Sequence, residues 1–285
     1  NNVYNIEQLF AERLFRVPDY QRGYAWEEQQ LTEFVEDLEL LPDGKDHYTG
    51  TIVLHPKGEA GNLPCEDEDG KRYGAVAVVD GQQRLTTVVL LLDAIRREMA
   101  SMENLANLAK GIHKNYIAAR DQAGQPLYRL SLNRDCQDYF VENVLSDTPG
   151  PEGPKIQSHQ RLLDAKKFFA RSLADQREKL GADYGAWLTS LRAKLVHQLK
   201  VTLYTVEEEA EVGVIFEVLN NRGKPLSELE KVKNYLLYLA SKLQVPNQLA
   251  TRVNQGWTTI FERLMEADMT SSADEDQLLR SHWLM

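Results

Sequence analysis

The chain has 285 residues, and 33 Lys and Arg against 43 Asp and Glu give it a formal net charge of −10. This balance excludes a generally basic nucleic-acid coat, whose affinity comes from many neutralised phosphates, and leaves only a local basic groove open. The cysteines, Cys65 and Cys136, exclude a disulfide framework and fit a reducing cytoplasm. No apolar run reaches the roughly 18 residues of a membrane span, so we expect a cytoplasmic protein without membrane contact.

In the first hundred residues the pattern of apolar side chains predicts helices joined to a hairpin. Helical spacing covers 6–14, 27–41 and 85–99, and two strand-like runs cover 48–54 and 74–79. An acidic, Gly-rich and Pro-rich loop separates the two runs, which favours a hairpin. The second half reads mainly as helices, predicted at 105–117, 136–145, 162–173, 184–199 and 208–219. A strand over 201–206 and a capping box at Ser227–Glu230 complete an α+β fold.

Three polar segments occur where predicted elements end. The first, Asp80-Gly81-Gln82-Gln83-Arg84, follows a strand and begins a helix; we call it the 80–84 motif. Backbone N–H groups at a helix start, a glycine that admits a ligand, and an arginine fork would together make an anion site. The alternative, more common on spacing alone, is that Asp80 caps the helix and Gln83 completes a capping box.

The second segment contains Tyr20, Gln21, Arg22, Tyr24 and Trp26 and is called here the 20–26 loop. Its aromatic side chains with Gln and Arg could stack a base and hold a phosphate. Packing of the loop on the core, with Arg22 paired to an acid, is the simpler interpretation.

The third segment, Asn220-Asn221-Arg222-Gly223, could read an amide edge or a phosphate, or could be an ordinary helix end with Gly223 in the left-handed conformation.

Taken together, the three segments resemble the N-terminal domain of GmrSD-type modification-dependent restriction endonucleases. The matching runs are Val-Pro-Asp-Tyr-Gln-Arg-Gly-Tyr-Ala-Trp at 17–26, Val-Asp-Gly-Gln-Gln-Arg-Leu-Thr-Thr at 79–87, and Phe-Glu-Val-Leu-Asn-Asn-Arg-Gly-Lys-Pro-Leu-Ser at 216–227. Glu230 departs from the pattern, since the family is expected to carry Asp there. As a carboxylate in the first helical turn it should still serve the cap.

The resemblance implies a ParB/sulfiredoxin-like nucleotide-binding core over 1–100 and a mainly helical region over 101–285 that completes the pocket. It implies binding and hydrolysis of a nucleoside triphosphate, GTP or ATP, with Mg²⁺. The implied catalytic residues are Asp80, Gln82, Gln83 and Arg84. The implied binding residues are Tyr20, Gln21, Arg22, Trp26, Gly81, Asn220, Arg222 and Gly223. Arg84 and Arg22 would neutralise phosphoryl charge, a glutamine would orient water, and Asp80 would hold the turn or help bind Mg²⁺.

The implied partners are modified DNA and a nuclease domain or subunit, and a homodimer is left open. The chain's histidines are scattered and show no metal-ligand spacing, so we expect the nuclease step elsewhere, in a downstream domain or a separate protein. The metal ligands are not identified. Two other functions remain: a non-hydrolysing nucleotide switch or modified-DNA reader that regulates a nuclease, and a DNA-binding structural adaptor.

Overall fold

The structure, a computed structural model, describes residues 2–56, 65–207, 227–242 and 248–283. Its strands are β1 (Val3–Asn5), β2 (Arg13–Arg16), β3 (His47–His55), β4 (Cys65–Glu66), β5 (Arg72–Asp80), β6 (Ala118–Arg120), β7 (Pro126–Tyr128), β8 (Leu130–Ser131) and β9 (Leu199–Thr205). Its α-helices are α1 (Ile6–Phe10), α2 (Glu28–Glu39), α3 (Gln82–Ala100), α4 (Ala106–Ile112), α5 (Arg134–Tyr139), α6 (Gln157–Leu180), α7 (Tyr184–Ala193), α8 (Glu228–Lys242), α9 (Gln248–Glu266) and α10 (Ser272–Trp283). The α+β class is confirmed.

The main sheet is mixed and has the strand order β1-β9-β3-β5-β2-β8, with β4 added to β5. The predicted hairpin is confirmed, because β3 and β5 pair antiparallel. β9 lies parallel to β3 and antiparallel to β1. The sheet is therefore not confined to residues 1–100, since β3 finds its second neighbour in a strand that begins at Leu199.

Helix α3 passes through the centre of the hydrophobic core. Nearly all its apolar side chains are buried, from Leu85 to Met99, and they belong to the same hydrophobic cluster as core residues of the sheet such as Val78 and Leu54. A helix that is apolar on most of its circumference is a buried one. The predicted helix 85–99 is confirmed, and the two glutamines of the 80–84 motif add its first residues.

The region predicted as one helix over 6–14 divides into two elements. α1 ends at Phe10, and Leu14 belongs to β2, which lies parallel to both β5 and β8. Leu14 and Phe15 are both fully buried. A strand buried on both faces has no alternation of polar and apolar residues, so its spacing resembled a helix.

Three of the predicted helices end in a wider π-helical turn. These turns are His113–Ile117 after α4, Phe140–Leu145 after α5, and Lys194–Gln198 after α7. The first and third lead directly into β6 and β9. The predictions for 105–117, 136–145 and 184–199 are thus confirmed as helical, except that Leu199 begins a strand.

Helices α9 and α10 both pack on α8 at the end of the described chain. The predicted capping box is confirmed: the amide of Glu230 donates to Ser227 Oγ at 3.1 Å, and the amide of Ser227 donates to Glu230 Oε2 at 3.0 Å. The indole N–H of Trp257 donates to the Leu229 carbonyl at 3.3 Å. No helix in the described ranges is long and apolar enough to cross a membrane.

Candidate functional site

The 80–84 motif lies at the junction of β5 and α3. Asp80 is the last residue of β5, and Gly81 occupies the N-cap position with φ +92°. A Cβ on Gly81 would also lie 2.9 Å from Ile52 Cγ1, so glycine is required for both backbone conformation and space. Because Gly81 occupies the cap position and Asp80 still belongs to β5, the interpretation of Asp80 as helix cap is wrong. Among the described residues, no side chain caps the first turn of α3.

The two glutamines of the motif bind the 20–26 loop. Gln82 Nε2 donates to the carbonyl of Arg22 at 3.0 Å and to Gln21 Oε1 at 3.2 Å. Gln83 Nε2 donates to the carbonyl of Gly23 at 3.1 Å, and Gln83 Oε1 accepts from the amide of Ala25 at 2.9 Å. Gln83 therefore does not complete a capping box; its amide group fixes the loop across Tyr24.

Gln21 continues this hydrogen-bonded unit toward β5 and α5. Its side chain is 3% exposed, and its Nε2 donates to the carbonyl of Val79 at 2.7 Å. Asn133, the residue before α5, donates from Nδ2 to the carbonyl of Gln21 at 2.8 Å. The structure thus brings the first two polar segments together through hydrogen bonds from side-chain amides, most of them to the backbone. That the two segments share a nucleotide pocket stays a prediction.

Arg84 lies against β3. One guanidinium nitrogen donates to the carbonyl of Thr51 at 2.7 Å, and another is 3.8 Å from Asp80 Oδ2. A Cβ on Gly50, which has φ +115°, would be only 2.7 Å from this guanidinium. Asp80 and Arg84 are about three-quarters buried, so a charged ligand at the turn would meet a partly desolvated ion pair.

The aromatic side chains of the 20–26 loop pack on the core. Tyr24 is buried and its hydroxyl hydrogen-bonds with Thr87 Oγ1 at 2.8 Å; burial raises the pKa of Tyr24 well above its usual range. Trp26 meets the ring of Phe34 edge to face. Tyr20 packs against a small cluster formed by Val53, Val79 and Val206. The packing interpretation is confirmed for these rings, while a role for Tyr20 and Trp26 in nucleotide binding stays a prediction.

Arg22 lines a cavity of about 70 Å³ with a mixed polar and apolar lining, which has room for a few water molecules. Burial lowers the pKa of Arg22, and the nearby carboxylate of Glu230 acts in the opposite direction. Buried Asn133 Oδ1 and Asn234 Nδ2, both from residues that line this cavity, have no hydrogen-bond partner among the described atoms. None of residues 80–84 lines it, so Arg22 and Arg84 face different surroundings.

The cavity wall contains residues that the sequence did not single out. Lys233 in α8 forms an ion pair with Asp135 in α5, and Thr258 in α9 donates to the same carboxylate at 2.7 Å. The sequence does contain a pattern that could identify Lys233 as buried: it is four residues from both Leu229 and Leu237, on the buried face of α8. A lysine at such a position requires a partner.

Part of the predicted site cannot be placed. Asn220, Arg222 and Gly223, and the helix predicted over 208–219, lie outside the described residues. Within the described part of the chain, no group of three or more His, Cys, Asp or Glu side chains could hold a metal ion.

The sequence model of one family matches residues 6–237, which include both polar segments described above and the predicted third; its description is GmrSD restriction endonuclease, N-terminal domain. The chain belongs to this family. Membership in this family implies that the domain is part of a restriction system, which defends a cell against phage DNA. A comparison with curated proteins gives no match.

Proposed function

We propose that this GmrSD-family domain binds and hydrolyses a nucleoside triphosphate at the junction of β5 and α3, as the nucleotide-dependent component of a modification-dependent restriction system. The observation that carries the proposal is the start of α3: a left-handed glycine cap without a side-chain acceptor, with Arg84 and Asp80 at the same turn. Uncapped N–H groups and a helix dipole attract phosphate oxygens. The same turn is the one that a ParB/sulfiredoxin-like fold would use.

The residues of the turn divide into different roles. Arg84 would neutralise charge that develops on the phosphoryl oxygens. Both polar atoms of the Gln83 amide are already bonded to the 20–26 loop, so Gln83 is a positioning residue. Gln82 uses its NH₂ group in the same way, but its Oε1 accepts no hydrogen bond from the described residues, which leaves that oxygen to orient the attacking water.

Asp80 fits the requirement of Mg²⁺ for one or two carboxylates beside substrate phosphates. The ion would supply charge neutralisation between phosphates. Asp80 also attracts and orients the Arg84 guanidinium, since its Oδ2 lies 3.8 Å from a guanidinium nitrogen. Either ATP or GTP is compatible with these groups, because none of them reads a base.

A second function is a nucleotide switch without hydrolysis, or a modified-DNA reader, that regulates a nuclease. The observation that favours it is the bonding of Gln82 and Gln83 to the 20–26 loop, whose Arg22 lines the cavity at α8. A conformational change at the turn, caused by nucleotide binding, would then move the loop and alter its contacts with the helices beyond residue 227. Modified DNA, a nuclease domain or subunit, a homodimer and a cytoplasmic location belong to both proposals.

The deciding experiment measures phosphate release from each of the four ribonucleoside triphosphates with Mg²⁺, with and without modified DNA. The wild type is compared with Arg84→Ala and with Arg171→Ala, which removes an exposed arginine paired with Glu28. Release that is lost only in folded Arg84→Ala supports hydrolysis at this turn. Release unchanged in that variant overturns it, and saturable binding without release favours the switch.

A further inference from the structure

Tyr48 in β3 is an exposed aromatic residue held in place by hydroxyl groups. It is 55% exposed, and its Oη hydrogen-bonds with Thr51 Oγ1 at 3.3 Å. Hydrogen bonds to Thr202 in β9 and to Thr51, with a smaller contribution from Arg84, lower the pKa of Tyr48. The hydroxyl of this exposed ring is therefore held by threonines of both β3 and β9.

Thr51 connects Tyr48 to the 80–84 motif. Its hydroxyl bonds Tyr48, and its carbonyl accepts from the guanidinium of Arg84 at 2.7 Å. The phosphate-binding group of the proposed site and an exposed aromatic ring are thus bonded to the same residue.

Gly50 allows the guanidinium of Arg84 to lie close to the backbone of β3. Its φ of +115° is one that other residues rarely adopt, and a Cβ there would meet Arg84 at 2.7 Å. Glycine adopts this conformation without strain, whereas a residue with a side chain would not. Here the glycine lets Arg84 lie directly beside the strand that carries Tyr48.

We propose that Tyr48 is the platform on which the base of the bound nucleotide stacks while its phosphates lie at the start of α3. The inference rests on the proposed function and assigns the base end of the same site. Stacking on a tyrosine face requires no particular base, since every base has an aromatic face. Tyr204, 49% exposed and two residues beyond Thr202 on the neighbouring strand, adds a second aromatic surface to this face.

The test compares ligands with and without a base. Binding of ATP, GTP and inorganic tripolyphosphate, each with Mg²⁺, is measured by calorimetry for the wild type, Tyr48→Ala, Tyr48→Phe and Arg84→Ala. The matched control is Tyr235→Ala, which removes a tyrosine of α8 that is 61% exposed. Because Tyr48 is exposed, its variants should fold.

We expect Tyr48→Ala to weaken ATP and GTP binding about tenfold, the size of one base stack on an aromatic ring, and to leave tripolyphosphate binding unchanged. Tyr48→Phe should bind within about threefold of the wild type because it keeps the ring. Arg84→Ala should weaken all three ligands, and Tyr235→Ala none.

Two results overturn the assignment of Tyr48 alone: wild-type nucleotide affinity in Tyr48→Ala, or an equal loss for tripolyphosphate. A loss confined to modified DNA would do the same and would make Tyr48 a contact for a DNA base. If the wild type binds neither nucleotide nor tripolyphosphate, the proposed function fails and the platform with it.

Discussion

Lys233 and Asp135 form an ion pair between α8 and α5, with side chains that are 7% and 9% exposed. Nearby, Asn254 in α9 donates to Asp19 Oδ2 at 3.1 Å, and the amide of Arg134 donates to the other oxygen of Asp19 at 2.8 Å. The helices that follow residue 227 are therefore held on the sheet-containing part of the chain partly by two aspartates. A polar interface of this kind depends on each partner being present.

Lys233→Met should destabilise the protein by about 3–5 kcal/mol, because the carboxylate of Asp135 would remain buried without its counter-ion. The free energy of unfolding in urea measures this effect. Combining Lys233→Met with Asp135→Asn should recover part of the loss, since neither charge is then left alone. Lys231→Met, which removes an exposed lysine paired with Glu228, is the control. Equal losses for Lys231→Met and Lys233→Met would contradict the prediction.

Gln83→Ala should cost about 1–3 kcal/mol of stability, because the carbonyl of Gly23 and the amide of Ala25 lose their partner. Limited proteolysis should cut the 20–26 loop faster in this variant than in the wild type. Gln29→Ala removes a glutamine whose side chain bonds an exposed glutamate in α2, and it should change neither measurement. Wild-type stability and protease resistance in Gln83→Ala would show that the loop is held by packing alone.

Gly23→Ala should destabilise the fold by about 1–3 kcal/mol through overpacking. The new methyl group would lie 2.1 Å from Ser158 Oγ and 2.5 Å from Ser158 Cβ, at the start of α6. Gly111→Ala in α4 is the opposite case, since its Cβ meets no atom within 4 Å. That control should gain about 0.5–1 kcal/mol from helix propensity. Urea unfolding of both variants tests the pair, and a stabilised Gly23→Ala would refute the close contact.

His159 should make stability depend on pH. Burial lowers its pKa, and the hydrogen bond of Nε2 to the Asp135 carbonyl opposes this only in part. Because the folded pKa lies below the unfolded value of about 6.5, the contribution is present above that pH and is lost as the pH falls through the folded pKa. Between pH 7 and 5 the wild type should therefore lose stability more steeply than His159→Gln. Parallel profiles would mean that other groups cause the loss.

The fold was predictable where local pattern and tertiary structure agree. The β3–β5 hairpin and α3 follow from apolar runs bounded by turn residues, and both are present. The parallel neighbours of β2 were not predictable, because Leu14 and Phe15 are buried on both faces and no local pattern specifies a partner such as β8. The entry of β9 into the sheet likewise depends on pairing across most of the chain.

The candidate site shows the same division. The turn at Gly81 was predictable from a strand, a glycine and a helix start. The bonds of Gln82 and Gln83 were not, since they join residues 58 to 61 positions apart and most of them lead to backbone groups, which leave no periodic signal. The sequence does not single out Tyr48 for a related reason: within a strand pattern, an exposed tyrosine is indistinguishable from an ordinary solvent-facing position.

The burial of α3 has a consequence for how the turn could respond to a ligand. Its first amides are oriented by a helix whose side chains are locked in the core, so their conformational entropy was lost on folding and not on binding. A phosphate would thus meet donors that need no reorganisation. A conformational change that begins at this turn would therefore displace the loop bonded to Gln82 and Gln83 as a rigid unit. The buried helix itself would not deform.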